Sequence, residues 1–451
     1  MAKQEIILKG LDGHEDHLVY NSANGQVGNS LEECARSLFP QEGETTPRLR
    51  FQGFEGEWQR VCFGDLYEHC IVKNDLTYGK DKIISVANMY YIQDANVSDD
   101  DYLRTYNVFK LGDIAFEGNK SKNFAHGRFV ENTIGDGIVS HVFEVFRPKS
   151  DNYDLMFWKY AINNEMLMGK ILSRCTKAST MMTNLVAQDF LKESILVPSL
   201  EEQQKIGSFL QRLDAQMALH KQQYERLQQL KSACLNSMFP QPSENNPPIR
   251  FSGYEGEWVK IKLSDIAKFS KGAGYSKNDL SDTGEPIILY GRMYTKYESM
   301  IRNVDTFAKL RDNSVLSKGN EIIIPASGET PEDIACASVV SIPNVILGGD
   351  LNVIRLDSKY DPVFTALSIT YGEVHNELAK YAQGKTIVHL HNAEISKVSI
   401  SYPQDVQEQR QISNYFLTLD TQISTEQQRL ERLKQMKSAC LRSMFPVNGG
   451  G

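Results

Sequence analysis

The sequence predicts an α/β protein built twice. Two mixed α/β blocks are each closed by a long helix with a coiled-coil seam, in a pseudo-two-fold cyclic arrangement. Three observations predict it. First, Lys437-Ser-Ala-Cys-Leu-Arg-Ser-Met-Phe-Pro446 repeats Lys231-Ser-Ala-Cys-Leu-Asn-Ser-Met-Phe-Pro240, and the match runs back to Glu408 and Glu202 with about half the residues identical. Second, Arg250-Phe-Ser-Gly-Tyr-Glu-Gly-Glu-Trp258 echoes Arg50-Phe-Gln-Gly-Phe-Glu-Gly-Glu-Trp58. Third, Cys34-Ala-Arg-Ser-Leu-Phe-Pro-Gln41 is a truncated copy of Cys234-Leu-Asn-Ser-Met-Phe-Pro-Gln241, so the chain begins and finishes where a repeat ends. Internal repetition decides the architecture before any local reading, and a two-fold protein suits a two-fold or bipartite ligand.

Taken in order, residues 1–47 are an extension rich in Gly and Glu, with few periodic signals, that carries the truncated repeat tail. Residues 48–198 are the first variable block. Its runs Lys82-Ile-Ile-Ser-Val-Ala87 and His141-Val-Phe-Glu-Val-Phe146 read as strands. Leu155 to Leu172 reads as one amphipathic helix, with Leu155, Trp158, Ile162, Glu165 and Met166 spaced by three or four. Residues 199–240 are the central helix. Its seam is Ile206, Leu210, Leu213, Met217, Tyr224, Leu227, Cys234 and Met238. Residues 241–249 are a linker, because proline and short polar residues stop a helix and favour extended chain. Residues 250–403 are the second variable block, with strands at Glu321–Pro325 and Leu351–Leu356 and a helix from Pro362 to Ala382. Residues 404–446 are the C-terminal helix, with the seam Ile412, Phe416, Leu419, Ile423, Leu430, Leu433, Cys440 and Met444. Apolar residues every 3.5 positions make a coiled-coil seam. Both seams are interrupted at the same places, by His220 or Glu426 and by Lys231 or Lys437; polar seam positions fix register and partner at some cost in stability.

Composition narrows the class. A chain of 451 residues exceeds one hydrophobic core, so several domains are expected. There is no apolar run long enough for a membrane span and no signal peptide, so a cytoplasmic protein is expected. The seven cysteines are scattered without a CxxC pair, and Cys62 and Cys70 stand too far apart for a zinc knuckle, which fits reduced thiols. Cys234 and Cys440 fall in the helical stripes and read as core. A net charge of −8 argues against a nonspecific coat for nucleic acid but leaves room for a segregated basic cleft.

Each variable block opens with a W-x-x-x-x-[LF]-x-[DE]-[IL] pattern, Trp58 to Leu66 and Trp258 to Ile266. Each closes on a proline followed by Glu-Gln and a long helix: Pro198-Ser-Leu-Glu-Glu-Gln-Gln-Lys-Ile206, and Pro403-Gln-Asp-Val-Gln-Glu-Gln-Arg-Gln-Ile412 with one residue more. In this combination the chain resembles specificity subunits of type I restriction-modification systems over about nine-tenths of its length; residues 1–47 depart from the pattern. The resemblance implies that residues 48–198 and 250–403 are target-recognition domains, each reading half of a bipartite site in double-stranded DNA. The two helices would pair antiparallel and set the spacer. Two methyltransferase subunits would dock on them, bind S-adenosylmethionine and methylate adenine at N6. Restriction subunits, where present, would bring ATP and Mg. This chain would hold no cofactor and catalyse nothing.

The competing reading is a self-contained DNA-modifying or DNA-cleaving enzyme. An amino-methyltransferase needs an [ND]-P-P-[YF] loop to grip and stack a flipped base; Asn246-Pro-Pro-Ile249 has Ile in place of the aromatic and lies in the linker. Lys271-Gly-Ala-Gly274 lacks the third glycine of a cofactor loop, and no GxxxxGK[ST] is present. Asp350 with Asp357-Ser-Lys359 imitates a metal-nuclease triplet. His389 and His391 alternate in an expected strand and read as a surface pair rather than metal ligands. A third reading, a purely structural coiled coil, is disfavoured by two dissimilar, loop-rich blocks between such similar helices.

Readout of DNA needs donors for base edges and cations for phosphates. The first block offers the loop Lys120-Ser-Lys-Asn-Phe-Ala-His-Gly-Arg128, with Lys120, Lys122, Asn123 and Arg128 as candidates. The second offers Lys268 to Lys277, with Lys271 and Tyr275, and Tyr290-Gly-Arg-Met-Tyr-Thr-Lys-Tyr297, with Tyr290, Arg292, Tyr294 and Lys296. Lys177-Ala-Ser-Thr180 aligns with Gln383-Gly-Lys-Thr386 ahead of each closing strand, which nominates Lys177 and Thr180, Lys385 and Thr386 for phosphate contact.

Overall fold

The computed structural model describes residues 2–9, 15–22, 45–47, 49–97, 99–150, 153–178, 182–241, 244–382, 384 and 387–444. It divides into two compact units, residues 1–220 with 429–451, and residues 221–428. Each unit holds one variable block together with the N-terminal part of one long helix and the C-terminal part of the other. The truncated repeat tail at Cys34–Gln41 lies outside the described residues.

The opening and closing motifs of each block are one piece of architecture. Arg50 makes a two-pronged ion pair with buried Glu202, Nε to Oε1 at 2.7 Å and Nη2 to Oε2 at 2.8 Å, while Nη1 donates to the Gly56 carbonyl at 2.6 Å. In the second unit, Arg250 does the same with Glu408 at 2.5 and 2.8 Å and with the Gly256 carbonyl at 2.7 Å. The paired glycines are needed there: Gly53 and Gly56 have φ of 95° and 80°, Gly253 and Gly256 of 93° and 82°, a region costly for other residues. The glutamine of each Glu-Gln pair clamps the domain helix. Gln203 donates to the Pro198 carbonyl and accepts from the Asp154 N–H; Gln409 donates to Pro403 and accepts from Asp361. Asp154 and Asp361 are in turn the N-caps of the helices Leu155–Ile162 and Pro362–Tyr371. Trp58 and Trp258 pack edge-on against Phe157 and Phe364 of those helices, at 6.2 and 5.5 Å between ring centres.

Between the motifs, strand Gln59–Cys62 pairs antiparallel with Ser194–Val197, and Val259–Lys262 with Ser399–Tyr402, which ties the two ends of each block together. The first block contains a four-stranded antiparallel sheet in the order Arg128–Glu131, Ile114–Glu117, Glu144–Pro148, Tyr67–Cys70. The second contains two five-stranded sheets, one ordered Ala267–Lys271, Leu351–Leu356, Glu321–Pro325, Ser338–Val340, Met300–Ile301. The strands expected at Glu321–Pro325 and Leu351–Leu356 form over those residues. The other two are shifted: only Ile84–Ser85 of the Lys82–Ala87 run is strand, after a 3₁₀ turn at Lys80–Lys82, and the second run forms Glu144–Pro148.

Both domain helices are broken where one was expected. Leu155–Ile162 ends before Asn164, whose side chain accepts from the Met166 N–H and starts a second helix, Glu165–Cys175. Pro362–Tyr371 ends at Gly372, and Glu373–Tyr381 follows. The extension also holds more order than its composition suggests. Ala2–Lys9 and Glu15–Ser22 form a hairpin, and the latter pairs with Leu49–Phe51.

The long helices run Leu200–Ser237 and Val406–Ser443, 38 residues each, or about 57 Å. They pack together as a coiled-coil-like pair. In the first unit, Ile206, Leu210 and Leu213 share a core with Leu433, Cys440 and Met444, with Met217 partly buried beside them. In the second, Ile412, Phe416 and Leu419 share a core with Leu235 and Met238, with Leu227 and Cys234 partly buried. Tyr224, Ile423 and Leu430 are partly buried. The ends of each seam therefore serve two purposes, packing on the partner helix and on their own domain. Phe209, off the seam, joins the first core through an edge contact with Phe51 at 5.6 Å.

The interrupting lysines have partners within their units. Lys231 pairs with Asp420 at 2.5 Å, and Asp420 also accepts from Ser299 at 2.8 Å. Lys437 pairs with Asp214, which accepts from Tyr160 at 2.7 Å. Each lysine also lies over a domain ring, Lys231 over Tyr371 at 5.6 Å and Lys437 over Tyr160 at 5.1 Å. The contacts of 231 with 420 and of 234 with 415 run in opposite directions along the two helices, so the pairing there is antiparallel.

Candidate nucleic-acid interface

Within each unit the structure joins segments that the sequence nominated separately. In the first, the loop 118–128 is stitched to the hairpin Thr176–Ala178 and Thr183–Leu185. The Thr183 N–H donates to the Gly118 carbonyl at 2.8 Å, its hydroxyl donates to the carbonyls of Gly118 and His126 at 3.1 and 3.0 Å, and Asn119 bridges Met182. Lys120, Lys122 and Asn123 are exposed on that loop, and Lys177 is exposed on the hairpin. Lys122 and Lys177 enter no ion pair among the described residues. Arg128 is engaged by the domain itself: its Nε donates to Glu117 at 2.7 Å, and its guanidinium sits 5.2 Å from the Phe124 ring centre.

In the second unit the convergence lies at one end of the sheet. Lys271 ends its strand, exposed and without an ion pair among the described residues. Beside it, Asn392 Nδ2 donates to the Ser270 carbonyl, and Asn352 Nδ2 to the Leu390 carbonyl, both at 2.9 Å. Strand Ser327–Gly328 pairs with Val388–His389, and the Tyr294 hydroxyl donates to the Ser327 carbonyl at 2.6 Å. Tyr290 and Tyr294 meet edge to face at 6.1 Å, about a third exposed each (37% and 36%). His389 and His391 stack nearly parallel at 6.2 Å, and His389 Nδ1 bonds the Ser327 hydroxyl at 3.1 Å. His391 is not in the strand as expected; it precedes the short helix Asn392–Ile395. Asp350 shares this end through its carbonyl, bonded by the Ala326 N–H. Burial raises the Tyr294 hydroxyl above its usual range, and Cys336, Asp333, Tyr290 and Asp350 push the same way, so this end is not uniformly basic.

Three nominated residues are engaged by the domain itself, two of them inside the fold and Lys296 at its surface. Tyr275 is 9% exposed, its hydroxyl bonded to Lys309 and Ser314 and its ring under Arg311 at 4.4 Å. Arg292 has a side chain 8% exposed, paired to Glu298 at 2.7 Å and Asp305 at 2.6 Å. Lys296 pairs with the same Asp305 at 2.8 Å and holds its carboxyl, with Arg292, at about 2. A basic-aromatic sequence pattern cannot distinguish a cation offered to phosphate from one neutralised by an acid several residues on. Thr180, Lys385 and Thr386 lie outside the described residues. The exposed residues Met182 and His389 were not nominated; the sequence offset aligns Met182 with Val388, and only the backbone pairing of 182 with Asn119 and of 389 with Ser327 brings them into correspondence.

The sites considered for chemistry have other uses. Asn246 Oδ1 accepts the Trp258 N–H at 3.0 Å, which makes it part of the opening motif. Asp350 and Asp357 flank opposite ends of the strand Leu351–Leu356, about 20 Å apart, too far to share an ion. Among the described residues, no cluster of three His, Cys, Asp or Glu could hold a metal. No helix among the described residues is long and apolar enough to cross a membrane.

The family model of the type I restriction modification DNA specificity domain matches this chain twice, over residues 55–229 and 255–435. The chain therefore belongs to the family of type I restriction-modification DNA specificity domains, carries that domain twice, and is a DNA-recognition chain. Among solved structures, it is similar to the type I restriction-modification system S subunit from M. genitalium, at 15% identity over 89% of this chain and 99% of that one, with a TM-score of 0.56. The HsdS subunit from Thermoanaerobacter tengcongensis aligns at 15% identity over 88% and 98%, with a TM-score of 0.44. No curated protein matches the chain.

Proposed function

We propose that this chain is the specificity subunit of a type I methyltransferase or restriction complex, with each block reading one half of a bipartite site in double-stranded DNA. Two methyltransferase subunits dock on the helix pair, bring S-adenosylmethionine and methylate adenine at N6; restriction subunits, where present, bring ATP and Mg. The chain itself binds the DNA and positions its partners but catalyses nothing, and it works in the cytoplasm. One observation carries the reading. The same domain, clamped by the same Arg-Glu and Gln-Asp contacts, is built twice, while the residues exposed beyond the sheet end differ: Lys122, Lys177 and Met182 in one, Tyr290, Lys271 and His389 in the other. Identical frames with different faces suit a bipartite, asymmetric target.

The test is to reconstitute the chain with its methyltransferase subunits and sequence the methylated DNA. Replacing residues 250–403 with the block of a relative is expected to change one half-site and leave the other. A change in both half-sites, or tritium transfer from S-adenosylmethionine to DNA by the purified chain alone, overturns the proposal.

A further inference from the structure

We infer that Met182 and His389 are equivalent specificity-determining positions, one per domain, each set to touch a base edge of its own half-site. The inference rests on the proposed reading of a bipartite DNA target and adds which side chains discriminate within it.

The equivalence is in the backbone. In each domain, one sheet strand (Ile114–Glu117, or Glu321–Pro325) is paired antiparallel with a strand later in the chain (Glu144–Pro148, or Leu351–Leu356). Two residues beyond its end, the chain turns to meet a returning segment. Asn119 bridges Met182 there, and Ser327 pairs with His389. The next residue of the returning segment donates its N–H to the residue after the strand: Thr183 to the Gly118 carbonyl at 2.8 Å, Leu390 to the Ala326 carbonyl at 3.1 Å. Gly118 admits this contact because a Cβ there would lie 2.2 Å from the Thr183 carbonyl. So the frame fixes the backbone at 182 and 389 alike, and only the side chain differs.

Both side chains stand at the surface, Met182 at 40% exposure and His389 exposed. Both lie within three residues of the loops that the sequence aligned. Alternation in the returning strand buries the neighbours Thr183 (3%), Val388 (5%) and Leu390 (0%), so 182 and 389 are the outward positions. The surroundings of His389 hold its ring in place. Its Nδ1 is bonded to Ser327, and its face stacks on His391, which leaves Nε2 as the polar ring atom for a ligand. A pre-oriented imidazole suits a hydrogen bond to a base edge, while an exposed thioether suits the thymine methyl group. The two half-sites should therefore be read by different chemistry at corresponding base pairs.

The experiment uses the full chain assembled with methyltransferase subunits, methylating a DNA library randomised in both half-sites. The wild-type complex first establishes the bipartite preference; its absence would remove the proposed function itself. Given that preference, Met182→Ala should relax discrimination at a base pair of the first half-site, and His389→Ala at one of the second, each on the order of tenfold. Met182→Leu and His389→Gln, which keep an apolar or hydrogen-bonding group, should retain most of it. Unchanged discrimination in both alanine variants, or loss in both half-sites from either one, overturns the inference. Thermal melting of each assembled variant separates these outcomes from misfolding, and the leucine and glutamine variants give the reading if an alanine variant fails to fold.

Discussion

Glu131 lies 3% exposed in the first domain's sheet, and neither carboxylate oxygen accepts a hydrogen bond among the described residues. Burial pushes its carboxyl well above the usual range, and the charge of Asp154 adds to that; Lys159 opposes them. The folded state thus holds this proton more tightly than the unfolded chain, whose glutamate titrates near 4.3. For a raised acid, the stability cost is absent below the unfolded value and grows as pH rises from there toward the folded one. Glu131→Gln should match wild type near pH 4 and exceed it at pH 7 by about 1–3 kcal/mol, read by urea denaturation at both pH values. Equal stability at both would mean that the carboxylate is solvated after all. At the surface, Lys122 and Arg292 make opposite predictions from similar sequence surroundings. Lys122→Ala should weaken DNA binding for all sequences alike and lower the salt slope by about one, measured as binding against salt concentration in the assembled complex. Arg292→Ala should cost about 1–2 kcal/mol of stability, because Glu298 and Asp305 lose a shared partner, with little change in the salt slope. The sequence showed where the cations are but not which acids claim them, since those acids lie in the loop beyond.

The repeated elements were the most legible part of the chain. Both long helices and their seams follow from a 3.5-residue period, and the opening and closing motifs mark the block edges. What the sequence did not show is why the motif residues are there: Arg50 meets Glu202 across 152 positions and Gln203 meets Asp154 across 49, and no local pattern encodes such meetings. Helix breaks at Asn164 and Gly372 were likewise hidden, because an apolar period continues through a cap that re-starts the helix. The seam lysines gain a purpose that periodicity alone leaves blank. Lys437 meets Asp214, and Lys231 meets Asp420, so a polar seam residue finds its acid in one register. Asp214 and Lys437 remain partly exposed (32% and 22%), so their attraction is screened, and the pair should act on register more than on stability. A double-mutant cycle with Asp214→Asn and Lys437→Met should give a coupling of about 1 kcal/mol, and the repeat-equivalent cycle with Asp420→Asn and Lys231→Met a similar one. Coupling near zero in both cycles, by chemical denaturation, would assign these lysines to solubility alone.

At the scale of the whole molecule, each long helix is continuous from one unit into the other, with the boundary at residues 220–221 in the first and 428–429 in the second. These boundaries fall close to repeat-equivalent positions, so neither domain is a simple segment of chain. Each is closed by the start of one helix and the end of the other. If the helices set the spacer between half-sites, their length is the adjustable quantity. Four residues inserted after Gln222, with four after Gln428, lengthen both helices by about 6 Å. They add a little over one turn, so the seams stay nearly in phase and the Lys-Asp pairs within each unit are untouched. With B-DNA rising about 3.4 Å per base pair, the spacer should grow by one or two base pairs while both half-sites keep their sequence. Two residues inserted at the same places rotate the seams by about 200° and should abolish assembly, which size-exclusion chromatography with the methyltransferase subunits would detect. The methylated sequences of the four-residue variant decide the matter. An unchanged spacer in a complex that still methylates means that something other than helix length measures the DNA.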